Sequence, residues 1–130
     1  MGINILYIED NPDNMTLVRR VMEAAGYTLL QAKTGLEGIA MAEKEKVDLI
    51  LLDINLPDVD GYEIARRIRH NTKKRLAHIP IIAITANALK GDAESALAAG
   101  CDVYMSKPIN IHELQARVEG LLSLPETKIF

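Results

Sequence analysis

The feature that most constrains this sequence is a regular alternation of short, apolar, β-rich runs with segments of helical periodicity. Five such pairs follow one another within 130 residues, and their apolar runs lie at residues 3–8, 27–31, 48–52, 79–84 and 102–105. This alternation is typical of a parallel sheet with helices on both faces. The third run is almost wholly apolar, as a strand covered on both faces should be. We therefore predict an α/β fold with a doubly wound, five-stranded parallel sheet.

Helix-capping residues support these boundaries. Asn11 and Pro12 start the first predicted helix, and Gly26 ends it, because proline suits the first turn and glycine suits the residue after the last. Thr34 and Glu37 have the spacing of a capping box at the start of the second helix. The other predicted helices lie at about 62–70, at about 88–99, and after the capping residue Asn110.

Composition limits the class of protein. Hydrophobic residues make up 48% of the chain, so we expect one globular domain over residues 1–124, a short tail at 125–130 and no second domain. The net charge of −3, and a basic run at 66–75 without interleaved aromatic residues, argue against direct binding to nucleic acid. No apolar run is long enough to insert into a membrane. The single cysteine, Cys101, suits a reducing compartment, and we expect a cytoplasmic protein.

Polar residues follow four of the five predicted strands. Glu9 and Asp10 follow the first strand, Asp53 the third, Thr85 the fourth and Lys107 the fifth. Ligands of open α/β sheets bind outside the carboxyl ends of the strands. If these four strands are neighbours, one edge of the sheet carries three carboxylates, a hydroxyl and an ammonium group.

This set of groups points to phosphoryl chemistry. Three carboxylates at one place repel one another unless a cation lies among them, and Mg2+ is a hard ion that prefers oxygen ligands. A carboxylate can itself be a nucleophile that forms an aspartyl phosphate. Phosphoryl transfer is catalysed mainly by positioning and by neutralising charge. Lys107 and Thr85 would add a positive charge and a hydroxyl donor beside Asp53.

The chain resembles response-regulator receiver domains over essentially its whole length. Motifs of that family stand in order at the predicted strand ends: Glu9-Asp10, Asp53 followed by Ile54-Asn55-Leu56-Pro57, Gly61, Thr85-Ala86, and Lys107-Pro108. The resemblance implies a (βα)5 fold of the flavodoxin and CheY-like kind, with strand order 2-1-3-4-5.

The resemblance also implies how the acidic residues act. Asp53 is expected to accept a phosphoryl group from a phosphohistidine of a partner protein. Asp10, with Glu9 beside it, is expected to bind Mg2+ together with Asp53 and the main-chain carbonyl of Asn55.

Further roles are implied for residues around the phosphoacceptor. Lys107 is expected to contact the phosphoryl group and to precede a cis bond to Pro108, and Thr85 to hydrogen-bond the phosphoryl oxygens. Tyr104 occupies the position of the family's switch aromatic and would turn inward with Thr85, although plain packing is the alternative. Asn55 and Asn87 lie two residues after Asp53 and Thr85, at positions that tune the lifetime of the phosphorylated form.

The lack of a predicted output domain favours stand-alone receivers of the DivK-like kind, which act by binding other signalling proteins. The expected phosphodonor is a histidine kinase, a histidine-phosphotransfer protein or both. The expected downstream partner is a signalling protein that binds the face formed by the fourth predicted helix, the fifth strand and the fifth helix. In this interpretation the chain is a phosphoacceptor switch that takes part in its own phosphotransfer and dephosphorylation, and it is not an enzyme with a separate substrate.

Other functions remain as alternatives. The chain could be a receiver-like interaction module that signals without phosphorylation. It could also be a small Mg2+-dependent phosphohydrolase, although the acid/base aspartate of haloacid dehalogenases is replaced here by Asn55. A flavodoxin-like cofactor carrier would need a hydroxyl- and glycine-rich phosphate loop after the first strand, where this chain has Glu9, Asp10 and Asp13.

Overall fold

The computed structural model describes residues 2–86 and 92–123. In chain order the elements are β1 (Asn4–Ile8), α1 (Pro12–Ala24), β2 (Thr28–Ala32), α2 (Gly35–Lys44), β3 (Leu49–Asp53), α3 (Gly61–Arg69), α4 (Lys74–Ala77), β4 (Ile81–Thr85), α5 (Asp92–Ala98), β5 (Val103–Ser106) and α6 (Ile111–Leu122). None of the described helices combines the length and the apolar surface that crossing a membrane requires.

The five strands form one parallel sheet in the order β2-β1-β3-β4-β5. Side chains alternate between its faces, and each face carries its own apolar core. Helices α2 to α5 pack on one core and helices α1 and α6 on the other. The predicted doubly wound sheet and its strand order are therefore confirmed. This order makes β1, β3, β4 and β5 consecutive neighbours, which brings their carboxyl ends to one edge.

Four of the strands end one residue later than the apolar runs predict. Asp53 and Thr85 are the last residues of β3 and β4 rather than the first residues after them. The ladder continues past the apolar residues, because the N–H of Ile54 donates to the carbonyl of Ile84 and the N–H of Lys107 donates to that of Thr85. Ladder bonds depend on the backbone, whereas the prediction followed side-chain polarity. The last residues of β3 and β4 are therefore both polar and buried.

The predicted helix starts are confirmed by their caps. The side chains of Asn11, Thr34 and Asn110 each accept a hydrogen bond from a backbone N–H in the first turn of α1, α2 and α6. Gly26 ends α1 at a φ of +94°, a conformation that side-chain-bearing residues rarely adopt. Residues 88–91 of the predicted fourth helix lie outside the described residues, and α5 begins at Asp92.

The short helix α4 lies at the end of the basic run at 66–75 and is not among the predicted helices. Lys74 begins α4 because Leu76 is buried against the core and anchors the turn. Cationic side chains beside α4 donate hydrogen bonds to carbonyl groups at the C-terminal end of α2. Lys73 Nζ donates to the carbonyl of Glu43, and the guanidinium of Arg75 donates to the carbonyls of Ala42 and Glu45. Part of the basic run thus satisfies carbonyls at a helix C-terminus, which attracts positive charge.

The loop after β3 is held at two points, by Asp58 against the start of α2 and by the close approach of Gly61 to Ile54. Both carboxylate oxygens of Asp58 accept hydrogen bonds from the N–H groups of Gly35 and Leu36, at 2.9 and 3.0 Å. These bonds lower the pKa of Asp58, the one from Gly35 most of all. At its far end the loop closes tightly, because a Cβ on Gly61 would lie 2.5 Å from the Cα of Ile54. The segment after Asp53 is therefore held in place from both sides.

Arg69 connects the end of α3 to the entries of β4 and β5. Its guanidinium donates to the carbonyls of Gly100 at 2.7 Å and Ile79 at 2.6 Å. It also pairs with Asp102 at 2.8 Å, and the same Asp102 oxygen accepts from the N–H of Ile81. The side chain of Arg69 is only 18% exposed, so water replaces these partners poorly.

We expect Arg69→Met to lower the free energy of unfolding by about 2 kcal/mol, because two partly buried carbonyls and Asp102 lose their donor. Urea unfolding followed by circular dichroism measures the difference. Arg66→Met is the matched control, since Arg66 is half exposed and its guanidinium pairs, among the described residues, only with Glu63 in its own helix; its cost should stay below about 0.5 kcal/mol. Equal costs for the two variants would contradict the role of Arg69.

We expect Asp58→Ala to cost about 1 kcal/mol at pH 7, since it removes a helix-capping carboxylate. The pKa of Asp58 is lowered in the folded state, so its contribution is present above the unfolded pKa of about 3.9 and is lost as the pH falls through the folded value. The stability difference from wild type should therefore shrink below about pH 4. Glu23→Ala, which removes an exposed carboxylate with no hydrogen bond among the described residues, is the control. A difference independent of pH would refute this account.

Candidate functional site

The structure brings the predicted polar residues together at the carboxyl edge of the sheet. Glu9 and Asp10 follow β1, Asp53 ends β3, Thr85 ends β4 and Lys107 follows β5. Asp53 and Thr85 are held by the strands themselves, so their backbones are rigid. Glu9 is held by its own N–H, which donates to the carbonyl of Ala32 at the end of β2.

Three carboxylates converge at this edge. One oxygen each from Glu9, Asp10 and Asp53 lies within 4.8 Å of the other two. Glu9 and Asp53 are 1% exposed, whereas Asp10 is open to solvent. Buried carboxylates are stable only when donors or cations offset their charge. The donor set is made of hard oxygen atoms with one side open to water, and it fits a divalent cation such as Mg2+.

Lys107 supplies a positive charge to the two buried carboxylates. Its Nζ lies 3.2 Å from Asp53 Oδ2 and 3.4 Å from Glu9 Oε1. The side chain is 21% exposed, so solvent screens these pairs less than it would on an open surface. The bond between Lys107 and Pro108 is cis, as the resemblance to receiver domains implies.

Glu9 has further donors that the sequence analysis missed. The Tyr7 hydroxyl donates to Glu9 Oε1 at 2.9 Å, the side-chain amide of Asn14 donates to the same oxygen at 3.3 Å, and the N–H of Asn11 donates to Oε2 at 3.1 Å. Burial raises the pKa of Tyr7 far above its usual range, and the negative charge of Glu9 raises it further. Residues two apart on a strand share a face, and that spacing is the signal by which this pair could have been found.

Asn55 links the ends of β3 and β4. Its N–H donates to Asp53 Oδ1 at 3.0 Å. Its side-chain oxygen accepts from the N–H of Ala86 at 3.0 Å and lies 3.4 Å from the Thr85 hydroxyl, which donates to it. The amide of Asn55 therefore engages the end of β4 beside Asp53. Asn87, the other residue expected to tune the phosphoryl lifetime, lies outside the described residues.

Tyr104 is half-buried on β5 and packs on the core beneath α2 to α5. It lies opposite Ala83, while Thr85, two residues further along β4, lies opposite Ser106. Because side chains alternate along strands, Tyr104 and Thr85 share one face of the sheet. The structure thus places Tyr104 next to the carboxyl end of β4 without assigning it a role.

Comparison with known proteins agrees with this site. The model of the response regulator receiver domain family matches residues 5–119. The polar-differentiation response regulator DivK of Brucella anthropi is 43% identical over 122 residues, which cover 94% of this chain and 98% of that protein.

Two solved structures are similar over nearly the whole fold. One is the receiver domain of a sensor histidine kinase from Pseudomonas aeruginosa PAO1, crystallised with a magnesium ion coordinated in its active-site cleft. It has a TM-score of 0.86 and 38% identity, and the match covers 95% of this chain and all of that one. The other is a complex from Saccharomyces cerevisiae between a histidine phosphotransfer protein and the receiver domain of its downstream response regulator. Its match has a TM-score of 0.85 and 28% identity and covers 96% of this chain and 94% of that one.

The strand order, the acidic edge with its lysine and the family match lead to one conclusion. This chain belongs to the response regulator receiver domain family.

Proposed function

We propose that this chain is a response-regulator receiver whose Asp53 accepts a phosphoryl group in a Mg2+-dependent reaction. The observation that carries the proposal is the environment of Asp53. Its carboxylate is 1% exposed, is 3.2 Å from Lys107 Nζ and has the oxygens of Glu9 and Asp10 within 4.8 Å. A carboxylate held in this way is poised as a nucleophile beside groups that can neutralise a phosphoryl group.

In the proposed reaction a carboxylate oxygen of Asp53 attacks the phosphorus of a partner's phosphohistidine. The new O–P bond forms as the P–N bond breaks, and the bonding electrons return to the imidazole nitrogen. Lys107 supplies positive charge to the phosphoryl oxygens. A bound Mg2+ ion, held by Asp10, Asp53 and the carbonyl of Asn55 with Glu9 beside them, would offset the remaining negative charge.

The same groups would also support hydrolysis of the aspartyl phosphate. Water attacks the phosphorus, the O–P bond to Asp53 breaks, and inorganic phosphate leaves while the carboxylate is restored. Asn55 and Asn87 are proposed to tune this rate. Asn55 is well placed for that task, because its N–H already bonds to Asp53 Oδ1 and its side chain reaches the end of β4. The chain is thus a switch that takes part in its own phosphorylation and dephosphorylation.

We further propose that Thr85 and Tyr104 move when Asp53 is phosphorylated and thereby change the surface of the protein. The Thr85 hydroxyl would leave the Asn55 oxygen for a phosphoryl oxygen, and the shared face of the sheet would let Tyr104 follow it inward. This movement biases a two-state equilibrium. The face that changes is formed by α5, β5 and α6, which are the fourth predicted helix, the fifth strand and the fifth predicted helix of the sequence analysis.

The proposed phosphodonor is a histidine kinase or a histidine-phosphotransfer protein, and the similar yeast complex pairs a receiver with a protein of the second kind. The proposed downstream partner is a signalling protein that binds the α5–β5–α6 face, in keeping with the similarity to DivK. We propose no direct contact with nucleic acid, no membrane insertion, and a receiver domain over residues 1–124 followed by a short tail. A cytoplasmic setting agrees with the free, buried thiol of Cys101, whose pKa burial raises to about 11.

The experiment is intact-mass spectrometry after incubation with acetyl phosphate, with and without Mg2+. We expect wild type to gain the mass of one phosphoryl group only with Mg2+, and Asp53→Asn to gain none, because its amide is a poor nucleophile. Asp60→Asn is the matched control. Asp60 lies on the same loop and caps α3, and asparagine caps a helix equally well, so this variant should be labelled like wild type.

Three outcomes would overturn the proposal. Stable labelling of Asp53→Asn at the wild-type stoichiometry would place the phosphoryl group elsewhere. A folded, Mg2+-loaded wild type without any adduct would favour the interaction module that signals without phosphorylation. Release of phosphate from many phosphomonoesters would instead favour the phosphohydrolase.

A further inference from the structure

We propose that Tyr7 is a positioning residue of the phosphoacceptor site, which acts by fixing the carboxylate of Glu9 for the divalent cation. Tyr7 does not reach the proposed reacting atoms itself. Its hydroxyl donates to Glu9 Oε1 at 2.9 Å, the shortest of the four hydrogen bonds and ion pairs that the described residues make to this carboxylate.

The ring of Tyr7 is a rigid support for that hydrogen bond. Tyr7 is fully buried in the middle of the sheet, with β2 on one side of its strand and β3 on the other, and it packs in the core beneath α1 and α6. Its side chain has only two rotatable bonds before the hydroxyl. The position of the hydroxyl is therefore set by a strand that is paired on both sides.

The other donors to Glu9 are less firmly held. Asn11 is exposed at the start of α1, and Asn14 is half-buried one turn later. Lys107 reaches Glu9 with a long, flexible side chain that also contacts Asp53. Without the phenol, the orientation of the buried carboxylate would depend on these groups alone.

The Tyr7 hydroxyl also affects how closely the Lys107 ammonium group approaches Glu9 and Asp53. Tyr7 and Lys107 both approach Oε1, and Lys107 lies slightly closer to Asp53, at 3.2 Å, than to Glu9, at 3.4 Å. A donor on Oε1 offsets part of its negative charge and weakens the attraction of Glu9 for the ammonium group. Loss of the phenol should draw Lys107 toward Glu9 and leave the cation ligands less well ordered.

The test is the affinity for Mg2+ alone, measured by isothermal titration calorimetry without any phosphodonor. Removing an outer hydrogen bond to a metal-binding group commonly costs 10- to 100-fold in affinity. We expect Tyr7→Phe to raise the Kd for Mg2+ by roughly tenfold. Tyr27→Phe is the matched control, since Tyr27 is half-buried, remote from the acidic edge, and its hydroxyl makes no hydrogen bond among the described residues; its Kd should equal that of wild type.

A double-mutant cycle separates positioning from plain stability. Tyr7→Phe can lower the unfolding midpoint merely by removing a buried hydrogen bond, but that effect alone leaves the Kd unchanged. If Tyr7 acts through Glu9, the effect of Tyr7→Phe on the Kd should disappear when Glu9→Gln is already present. A Kd for Tyr7→Phe within twofold of wild type, or an undiminished effect in the Glu9→Gln background, would overturn the inference.

This inference concerns the binding of Mg2+. It rests on the proposed function only in assuming that the bound ion serves phosphotransfer. Labelling by acetyl phosphate tests that function, whereas the calorimetry tests Tyr7. A raised Kd in a protein that is never phosphorylated would uphold the role of Tyr7 and refute the phosphotransfer. An unchanged Kd for Tyr7→Phe, in a protein that is labelled at Asp53, would refute the role of Tyr7 and uphold the phosphotransfer.

Discussion

The bridge that Lys107 makes between Asp53 and Glu9 is the interaction on which the rest of this site depends. Two carboxylates that are 1% exposed would be costly in the protein interior without compensation. The ammonium group lies within 3.4 Å of one oxygen of each, and Tyr7 and Asn14 donate to the same Glu9 oxygen. The N–H groups of Asn11 and Asn55 donate to the other oxygens of Glu9 and Asp53. Each oxygen of these two buried carboxylates thus has an ammonium group or a hydrogen-bond donor beside it.

The fold supplies the rigid frame for this bridge. Strand order brings β1, β3 and β5 to one edge, although Lys107 is far from Glu9 in the sequence. Asp58 fastens the loop after β3 to α2, and Gly61 lets that loop close on Ile54. The opposite edge is fastened by Arg69. These contacts hold the backbone at the carboxyl edge beside Asp53 and at the entries of β4 and β5.

The sequence predicts the fold and the acidic edge well, because both follow from local patterns. Apolar alternation gives the strands, and the first or second residues after four of the five runs give Glu9, Asp10, Asp53, Thr85 and Lys107. The remaining features depend on contacts between distant segments. No local sequence pattern indicates that Asp58, in the loop after β3, bonds to the first turn of α2. None indicates that Arg69 bonds to the segments that enter β4 and β5. Tyr7 escapes prediction for another reason: an aromatic residue in an apolar strand looks like packing until the partner of its hydroxyl is known.

The most direct measurement of the central claim is a crystal structure grown with Mg2+ and beryllofluoride, an analogue of a phosphoryl group. We predict beryllium on a carboxylate oxygen of Asp53, Mg2+ among Asp10, Asp53 and the carbonyl of Asn55, and Lys107 Nζ in contact with a fluoride. Beryllofluoride bound elsewhere, or a bound analogue with Lys107 paired only to Glu9, would contradict the claim that this acidic edge is a phosphoacceptor site.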